Sequence, residues 1–188
     1  SSDLSAITLS RDTAGQGILG PMIAPAQAEI VARQLADARS RGATVETGGW
    51  VEPPWVAPTI VTGVTHDMAV MRDETFGPVL PVMAFDGDDA GIALANDSVY
   101  GLSGAVFSAD ETRARHVAGQ LAVGAVSIND AGLTAFISEV EKDSFGLSGL
   151  GVSRMGASGL LRFLRKQAHL INRGAPMPLT AFDEANRR

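Results

Sequence analysis

The chain of 188 residues contains no cysteine. A protein without cysteine cannot form a disulfide bond, hold a metal through thiolates or use a cysteine as its nucleophile. The absence therefore excludes a disulfide-stabilised fold, and it excludes thiolate chemistry carried out by this chain itself.

Positive charge and long apolar runs are also scarce. Fifteen Lys and Arg residues stand against 21 Asp and Glu residues, which gives a formal net charge of −6. This balance argues against a nucleic acid or an anionic membrane as a partner. No apolar run is long enough to span a bilayer, and the N-terminus lacks the charged-then-apolar pattern of a signal peptide. We expect a soluble, cytoplasmic protein.

What the chain does contain is the composition and patterning of a folded α/β protein. Apolar residues make up 45% and charged residues 19%, which excludes disorder, and the length suits one domain. Strand and helix patterns alternate, so we predict a layered α/β domain with a largely parallel sheet. The predicted helices cover 26–41, 89–96, 108–121 and 160–166, and the main predicted strands cover 43–46, 55–61, 102–107, 124–128 and 168–172. Pro58 places the strand 55–61 at a sheet edge or at a bulge.

One polar stretch, 72–78, interrupts two apolar runs and concentrates unusual residues. It brings a carboxylate, a hydroxyl, an aromatic ring and a Gly-Pro pair together. Glycine permits backbone angles that other residues avoid, and proline fixes φ and disfavours helix before it. We therefore expect Glu74 and Phe76 on a stiff loop between two strands, where functional groups commonly lie. Without further information, Glu74 is best interpreted as an acid that caps nearby amides.

Two other motifs have ordinary explanations. Residues 15–20, Gly-Gln-Gly-Ile-Leu-Gly, match the dinucleotide fingerprint Gly-x-Gly-x-x-Gly, but Pro21 and Pro25 delay the helix that should open on the glycines. A glycine-rich connector is the better interpretation. The acids at 86–89 lack the ligand pattern of a calcium loop and are better placed to cap the helix 89–96.

Neither the histidines nor the basic cluster indicates a binding site. None of the histidines has a partner at metal-ligand spacing, so we predict no metal site. They are His66, His116 and His169. The basic residues Arg162, Arg165 and Lys166 lie in an acidic chain, and a solvated helix face explains them better than nucleic-acid binding.

Six segments together resemble the aldehyde dehydrogenase superfamily, and they occur in the family's order. The resemblance covers about residues 17–172. The segments are Gly-Pro-Met-Ile at 20–23, Gly-Ala at 42–43, Gly-Gly at 48–49, Glu-Thr-Phe-Gly-Pro-Val at 74–79, Ala-Asn-Asp-Ser-Val-Tyr-Gly-Leu-Ser at 95–103 and Gly-Ala-Val-Ser-Ile-Asn at 124–129. The resemblance implies the fold of the catalytic domain and NAD- or NADP-dependent oxidation of an aldehyde to a carboxylic acid.

The resemblance also implies roles for three residues. Glu74 would accept hydrogen bonds from the nicotinamide ribose hydroxyls, and Phe76 would pack beside the ribose or the ring. Phe145 would line the tunnel for the aldehyde substrate. Around Phe145 the chain departs from the family, because Phe-Gly-Leu-Ser-Gly at 145–149 replaces the usual Phe-Gly-Gly-x-Lys.

In the family, the nucleotide-binding domain, the general base and the nucleophilic cysteine precede the Gly-Pro-x-Ile segment. We therefore expect residues 1–172 to be an N-terminally truncated catalytic domain that contains no catalytic residue and is inactive alone. Residues 168–172 would form an assembly strand of a homo-oligomer, and 173–188 a tail. The alternative is a non-catalytic relative that acts as an oligomerisation or binding module.

Overall fold

The chain divides into two compact units, Ser1–Ser98 and Val99–Arg188. The sequence suggests one domain, and no Gly/Pro-rich linker marks the point of division. The structure, a computed structural model, describes residues 6–11, 17–150, 155–156, 158–161 and 163–175.

Among its described residues, the first unit contains one long helix, two shorter helices and five strands. In chain order they are α1 (Pro25–Ser40), β1 (Thr44–Thr47), β2 (Val51–Glu52), β3 (Trp55–Val56), β4 (Thr59–Thr62), α2 (Ala69–Arg72), β5 (Val79–Val82) and α3 (Asp88–Asn96). The predicted helix 26–41 and strand 43–46 are confirmed, each displaced by one residue. Helix α1 begins at Pro25 because the fixed φ of proline suits the first helical position.

Strand β4 is the centre of a three-stranded sheet. It pairs antiparallel with β1 and parallel with β5, with Thr59 opposite Val79. The prediction that 55–61 forms one strand, at a sheet edge or with a bulge, is wrong, because this segment forms the two strands β3 and β4. Pro58 lies between them, so it removes no hydrogen bond from the ladder, and β4 can be central.

The core of the first unit lies between α1 and this sheet. Helix α1 contributes side chains at helical spacing, and they pack with Val61 of β4 and with Met68 and Val70 around α2. The α1 residues in the core are Ala28, Val31, Leu35 and Ala38. Burial of this face holds α1 firmly, so groups on its neighbouring face have fixed positions.

The second unit is built from shorter elements. They are β6 (Tyr100–Gly101), β7 (Gly104–Val106), α4 (Glu111–Ala118), β8 (Val126–Ile128), α5 (Leu133–Phe136), β9 (Phe145–Gly146) and α6 (Ser158–Leu161). Strands β7 and β8 pair parallel, and β6 and β9 pair antiparallel. The helix predicted over 108–121 is shorter, because the Asp110 side chain accepts a hydrogen bond from Arg113 N at 3.1 Å and caps the helix there.

The α/β class is confirmed, and the strand pairing is mixed. The pairs β4–β5 and β7–β8 are parallel, whereas β1–β4, β2–β3 and β6–β9 are antiparallel. Among the described residues, every helix is too short or too polar to span a bilayer.

The C-terminal segment differs from its prediction. Residues 168–172 have no regular secondary structure, and Leu170 and Ile171 are 93% and 76% exposed. The segment pairs with no strand in the described part of this chain, so the ladder that would define it as a strand is missing. The predicted helix 160–166 is reduced to the turn Ser158–Leu161, and much of the predicted tail lies outside the described residues.

We expect Leu35→Ala to lower the free energy of unfolding of the first unit by about 2–5 kcal/mol. Leu35 is 1% exposed in the core, so truncation leaves a cavity. Trp50 and Trp55 both belong to this unit, and urea unfolding followed by tryptophan fluorescence reports on it. Leu80→Ala is the control, because Leu80 is 55% exposed. Equal losses for the two variants would contradict this description of the core.

Candidate functional site

The loop 73–78 joins α2 to β5 in the first unit. The prediction of a loop between two strands is wrong at its first end, because residues 69–72 form a helical turn. Asp37 of α1 explains the turn, since its Oδ2 accepts a hydrogen bond from Ala69 N at 2.9 Å. Asp73 N then donates to Ala69 O at 2.9 Å and closes the turn directly before the loop.

Phe76 has a backbone conformation that is rare for a bulky residue. Its φ is 40°, in the left-handed region, and its side chain is 74% exposed. Such a conformation costs of order 1–3 kcal/mol and persists only where surrounding structure imposes it. The sequence pointed to Gly77 as the flexible residue of the bend, but the positive φ is at Phe76. Strained residues with exposed side chains often mark ligand sites.

Gly77 is needed for a different reason, namely close packing. A Cβ at this position would lie 2.8 Å from Val31 Cγ2 of α1, which is closer than carbon atoms approach. The loop therefore lies directly against the helix at Gly77. The end of the loop is joined to the sheet, since Thr59 N donates to Pro78 O at 2.9 Å.

Gln27 holds the middle of the loop. Its Nε2 donates to Thr75 O at 2.6 Å, across 48 residues of sequence. Thr75 lies between Glu74 and Phe76, so this bond acts on the peptide that joins the two predicted site residues. No local motif predicts such a contact, because the fold alone brings α1 beside the loop.

The Glu74 side chain is exposed. In the described part of the chain its carboxylate accepts no hydrogen bond and forms no ion pair. The interpretation of Glu74 as a cap for nearby amides therefore finds no such amide among the described residues. An ionised carboxylate accepts hydrogen bonds through both oxygens, so this group can receive a pair of hydroxyl donors from a ligand.

An ion-pair network supports the turn that precedes the loop. Arg41 Nε donates to Asp37 Oδ1 at 2.8 Å, and Arg41 Nη1 lies 2.6 Å from Asp67 Oδ2. The Ala69 amide, followed by the Arg41 guanidinium, lowers the pKa of the Asp37 carboxyl below its usual value of 3.8. Asp37 is therefore ionised at neutral pH and caps α2 as an anion.

An open cavity of about 280 Å³ lies beside the end of the loop. Gly77 and Pro78 contribute to its wall together with Ile18, Pro58 and Leu80. None of the described residues in its wall has a charged side chain, so this wall suits an apolar group and not a phosphate. The glycine-rich segment 15–20 is not followed directly by a helix, because α1 begins five residues after Gly20. This agrees with the interpretation of the segment as a connector. Residues 15 and 16 lie outside the described residues.

Phe145 lies in the second unit, on the short strand β9. It pairs with Gly101 of β6, and its side chain is 49% exposed. A Cβ at Gly101 would lie 2.6 Å from Phe145 Cβ, so glycine permits this pairing. A cavity of about 310 Å³ in the same unit is lined by β8 and residues from Leu133 to Lys142, and Phe145 is not in its wall.

The remaining candidates have structural partners or no site around them. His66 Nδ1 lies 3.1 Å from Asp97 Oδ2, and the His116 ring lies 3.0 Å from Gln120 Nε2. No group of three His, Asp or Glu residues in the described ranges is placed to hold a metal. Arg165 and Lys166 are exposed, and Arg162 lies outside the described residues.

Comparisons with known proteins agree on one family. A model of the aldehyde dehydrogenase family matches residues 2–168. Human mitochondrial succinate-semialdehyde dehydrogenase is 40% identical over 141 residues, which cover 73% of this chain and 26% of that protein.

Solved structures give the same result. A protein from Anabaena variabilis described as an aldehyde dehydrogenase, PutA, superposes with a TM-score of 0.88 and 47% identity, over 97% of this chain and 40% of that one. Betaine aldehyde dehydrogenase from Staphylococcus aureus in complex with NAD+ gives a TM-score of 0.83 and 29% identity, over 97% and 37%. The chain spans about a quarter of the length of the curated relatives it matches.

We expect Asp37→Asn to lower the free energy of unfolding of the first unit at neutral pH. Ala69 N and Arg41 Nε donate to different oxygens of Asp37, and in asparagine one of these positions becomes an NH2 donor and the charge is lost. Folding lowers the pKa of Asp37, so the carboxylate stabilises the fold above 3.8 and loses that contribution as the pH falls through the lowered folded value. The difference between wild type and variant should therefore be largest near neutral pH and shrink below 3.8.

Urea unfolding followed by tryptophan fluorescence, at neutral pH and at about pH 3, measures this difference. Asp86→Asn is the matched control, because Asp86 is exposed in the same unit. A difference between wild type and Asp37→Asn that is the same at both pH values would contradict the role of the Asp37 charge.

Proposed function

Because the chain belongs to the aldehyde dehydrogenase family, we propose that it is the C-terminal portion of the catalytic domain of an NAD- or NADP-dependent enzyme that oxidises an aldehyde to a carboxylic acid. The family match covers residues 2–168, which supports the assignment across both units. The nucleophilic cysteine would be supplied by protein outside these residues, since this chain has no cysteine. The nucleotide-binding domain, which precedes the Gly-Pro-x-Ile segment in the family, would be supplied there too. The chain by itself would be inactive.

The observation that carries the proposal is the pairing of Glu74 and Phe76 on one restrained loop. The nicotinamide group, when bound, accepts a hydride from the substrate. Glu74 would accept hydrogen bonds from the hydroxyls of the nicotinamide ribose through its exposed carboxylate. Phe76 would pack its exposed ring beside the ribose or the nicotinamide and limit its motion.

The residues present fit this group. A ribose offers two neighbouring hydroxyl donors, and Glu74 offers two acceptor oxygens without a competing partner among the described residues. An aromatic ring held in a strained backbone conformation is a rigid surface for a flat ligand. The loop itself is fixed at Thr75, Gly77 and Pro78, so both side chains start from defined positions.

Phe145 would line the path of the aldehyde in the second unit. Its half-exposed ring on β9 supports an apolar contact with a substrate. The names of the relatives include succinate-semialdehyde and betaine aldehyde dehydrogenases, so we assign the substrate only as an aldehyde.

A second proposal concerns assembly. Leu170 and Ile171 are strongly exposed, and an exposed apolar segment favours pairing with another chain. This observation supports a homo-oligomer in which 168–172 adds a strand to a partner subunit, either in the enzyme or in a non-catalytic relative that acts as an oligomerisation or binding module. The cytoplasmic location stays a prediction from composition.

We expect Glu74→Gln, in a longer active chain that includes these residues, to slow hydride transfer on the order of a hundredfold, with a smaller effect on cofactor binding. The amide loses the charge and one acceptor, so the ribose is held less precisely. Single-turnover absorbance of the reduced cofactor measures the rate. Glu29→Gln, an exposed change on α1, is the control, and the 188-residue chain alone serves as the blank. An unchanged rate in Glu74→Gln would contradict the assigned role.

We expect the chain to self-associate, and we expect deletion of 168–188 to weaken assembly or solubility. Deletion of 175–188 alone should have little effect, because it leaves the exposed segment with Leu170 and Ile171 in place. Light scattering at micromolar concentration distinguishes the three proteins. A well-behaved monomer for the undeleted chain would show that the assembly proposal is wrong.

A further inference from the structure

We propose that Gln27 is a positioning residue for the loop 73–78. Its hydrogen bond to the carbonyl of Thr75 holds Glu74 and Phe76 in place. The inference rests on the proposed function, in which this loop meets the cofactor. In this proposal Gln27 acts through the loop, by its hydrogen bond to Thr75 O.

Gln27 belongs to α1, the helix whose apolar face is buried in the core of the first unit. It lies in the first turn of α1, one helical turn before Val31, which is fully buried in the core. Its Nε2 donates to Thr75 O at 2.6 Å in a partly buried position. Because α1 is held by the core, the Gln27 amide has a defined position, and its hydrogen bond restrains the Thr75 carbonyl.

The hydrogen bond to Thr75 also restrains Phe76, because the two residues share a peptide bond. The peptide bond is planar, so an anchored Thr75 carbonyl also fixes the amide of Phe76. Phe76 has a φ of 40°, which a chain left to itself avoids. The bond from Gln27 thus helps to impose the strained conformation that sets the direction of the Phe76 ring, and it restrains the backbone carbonyl next to Glu74.

A second contact makes the restraint two-sided. Gly77 lies against Val31 so closely that a Cβ would be 2.8 Å from Val31 Cγ2. Gln27 and Val31 are four residues apart and lie on the same side of the helix. Val31 stops the loop from moving toward α1, and the Gln27 hydrogen bond stops it from moving away.

The restraint is tested first on the 188-residue chain by amide hydrogen exchange. Gln27→Met keeps the length of the side chain and removes the donor, and Gln27→Lys restores a donor. In Gln27→Met, amides in 73–79 should exchange about two- to tenfold faster, as expected for loss of one hydrogen bond, while Gln27→Lys stays near wild type. Glu29→Ala, an exposed change on the same helix, is the control.

Unchanged exchange of 73–79 in Gln27→Met would overturn the inference. Equal acceleration across α1 and β4 would overturn it too, because the residue would then support the fold as a whole. Faster exchange confined to the loop supports it.

The positioning role is tested in a longer active chain by single-turnover hydride transfer and cofactor affinity. Gln27→Met should slow hydride transfer on the order of tenfold to a hundredfold with little change in the cofactor Kd. The double variant with Glu74→Gln should be slowed by less than the product of the two single effects, because both changes act in part through the Glu74 carboxylate.

The failures are distinguishable. A normal rate in Gln27→Met, with a slowed rate in Glu74→Gln, overturns this inference and leaves the proposed function standing. A normal rate in Glu74→Gln overturns both.

Discussion

The contact between one side of helix α1 and the segment 69–78 is the constraint on which the rest of the site depends. Gln27, Val31 and Asp37 fall within eleven residues of α1, or about 15 Å of helix. Each reaches a different part of the segment: a loop carbonyl, a glycine and the first amide of α2. The helix can do this because its apolar face, which includes Val31, is buried in the core, so the loop takes its position from a helix that is itself held by packing.

This arrangement separates the groups that hold the loop from the groups that the loop presents. The holding groups are an amide donor, a methyl contact and a charged cap, all on α1. The presented groups, Glu74 and Phe76, are exposed and are free to face a ligand. Strain at Phe76 is tolerated because hydrogen bonds and packing on either side determine the backbone.

Local signals in the sequence predicted much of the fold. The apolar spacing of α1, with Pro25 before it, placed that helix within one residue, and the run 72–78 marked the loop. Local signals failed where distant residues decide the outcome. Ala69 begins a helical turn because a carboxylate 32 residues away caps it, and β4 is central because Pro58 falls just outside it.

The candidate site was likewise predicted in part. Glu74 and Phe76, the exposed residues of the loop, were predicted because a local motif resembles the family. Gln27 was not, because a glutamine in the first turn of a helix carries no sequence sign of a bond to Thr75, 48 residues later. Likewise Gly77 suggested a flexible angle, whereas its neighbour carries the positive φ and Gly77 serves packing.

The central claim is that α1 holds this loop in the conformation that receives the cofactor. A crystal structure of a longer active chain with NAD or NADP bound tests it most directly. The account predicts Glu74 carboxylate oxygens about 2.5–3.0 Å from the ribose hydroxyls, with Gln27 still bound to Thr75 O and Phe76 still at positive φ. Ribose hydroxyls bound by other residues, with Glu74 in solvent or the loop detached from α1, would contradict it.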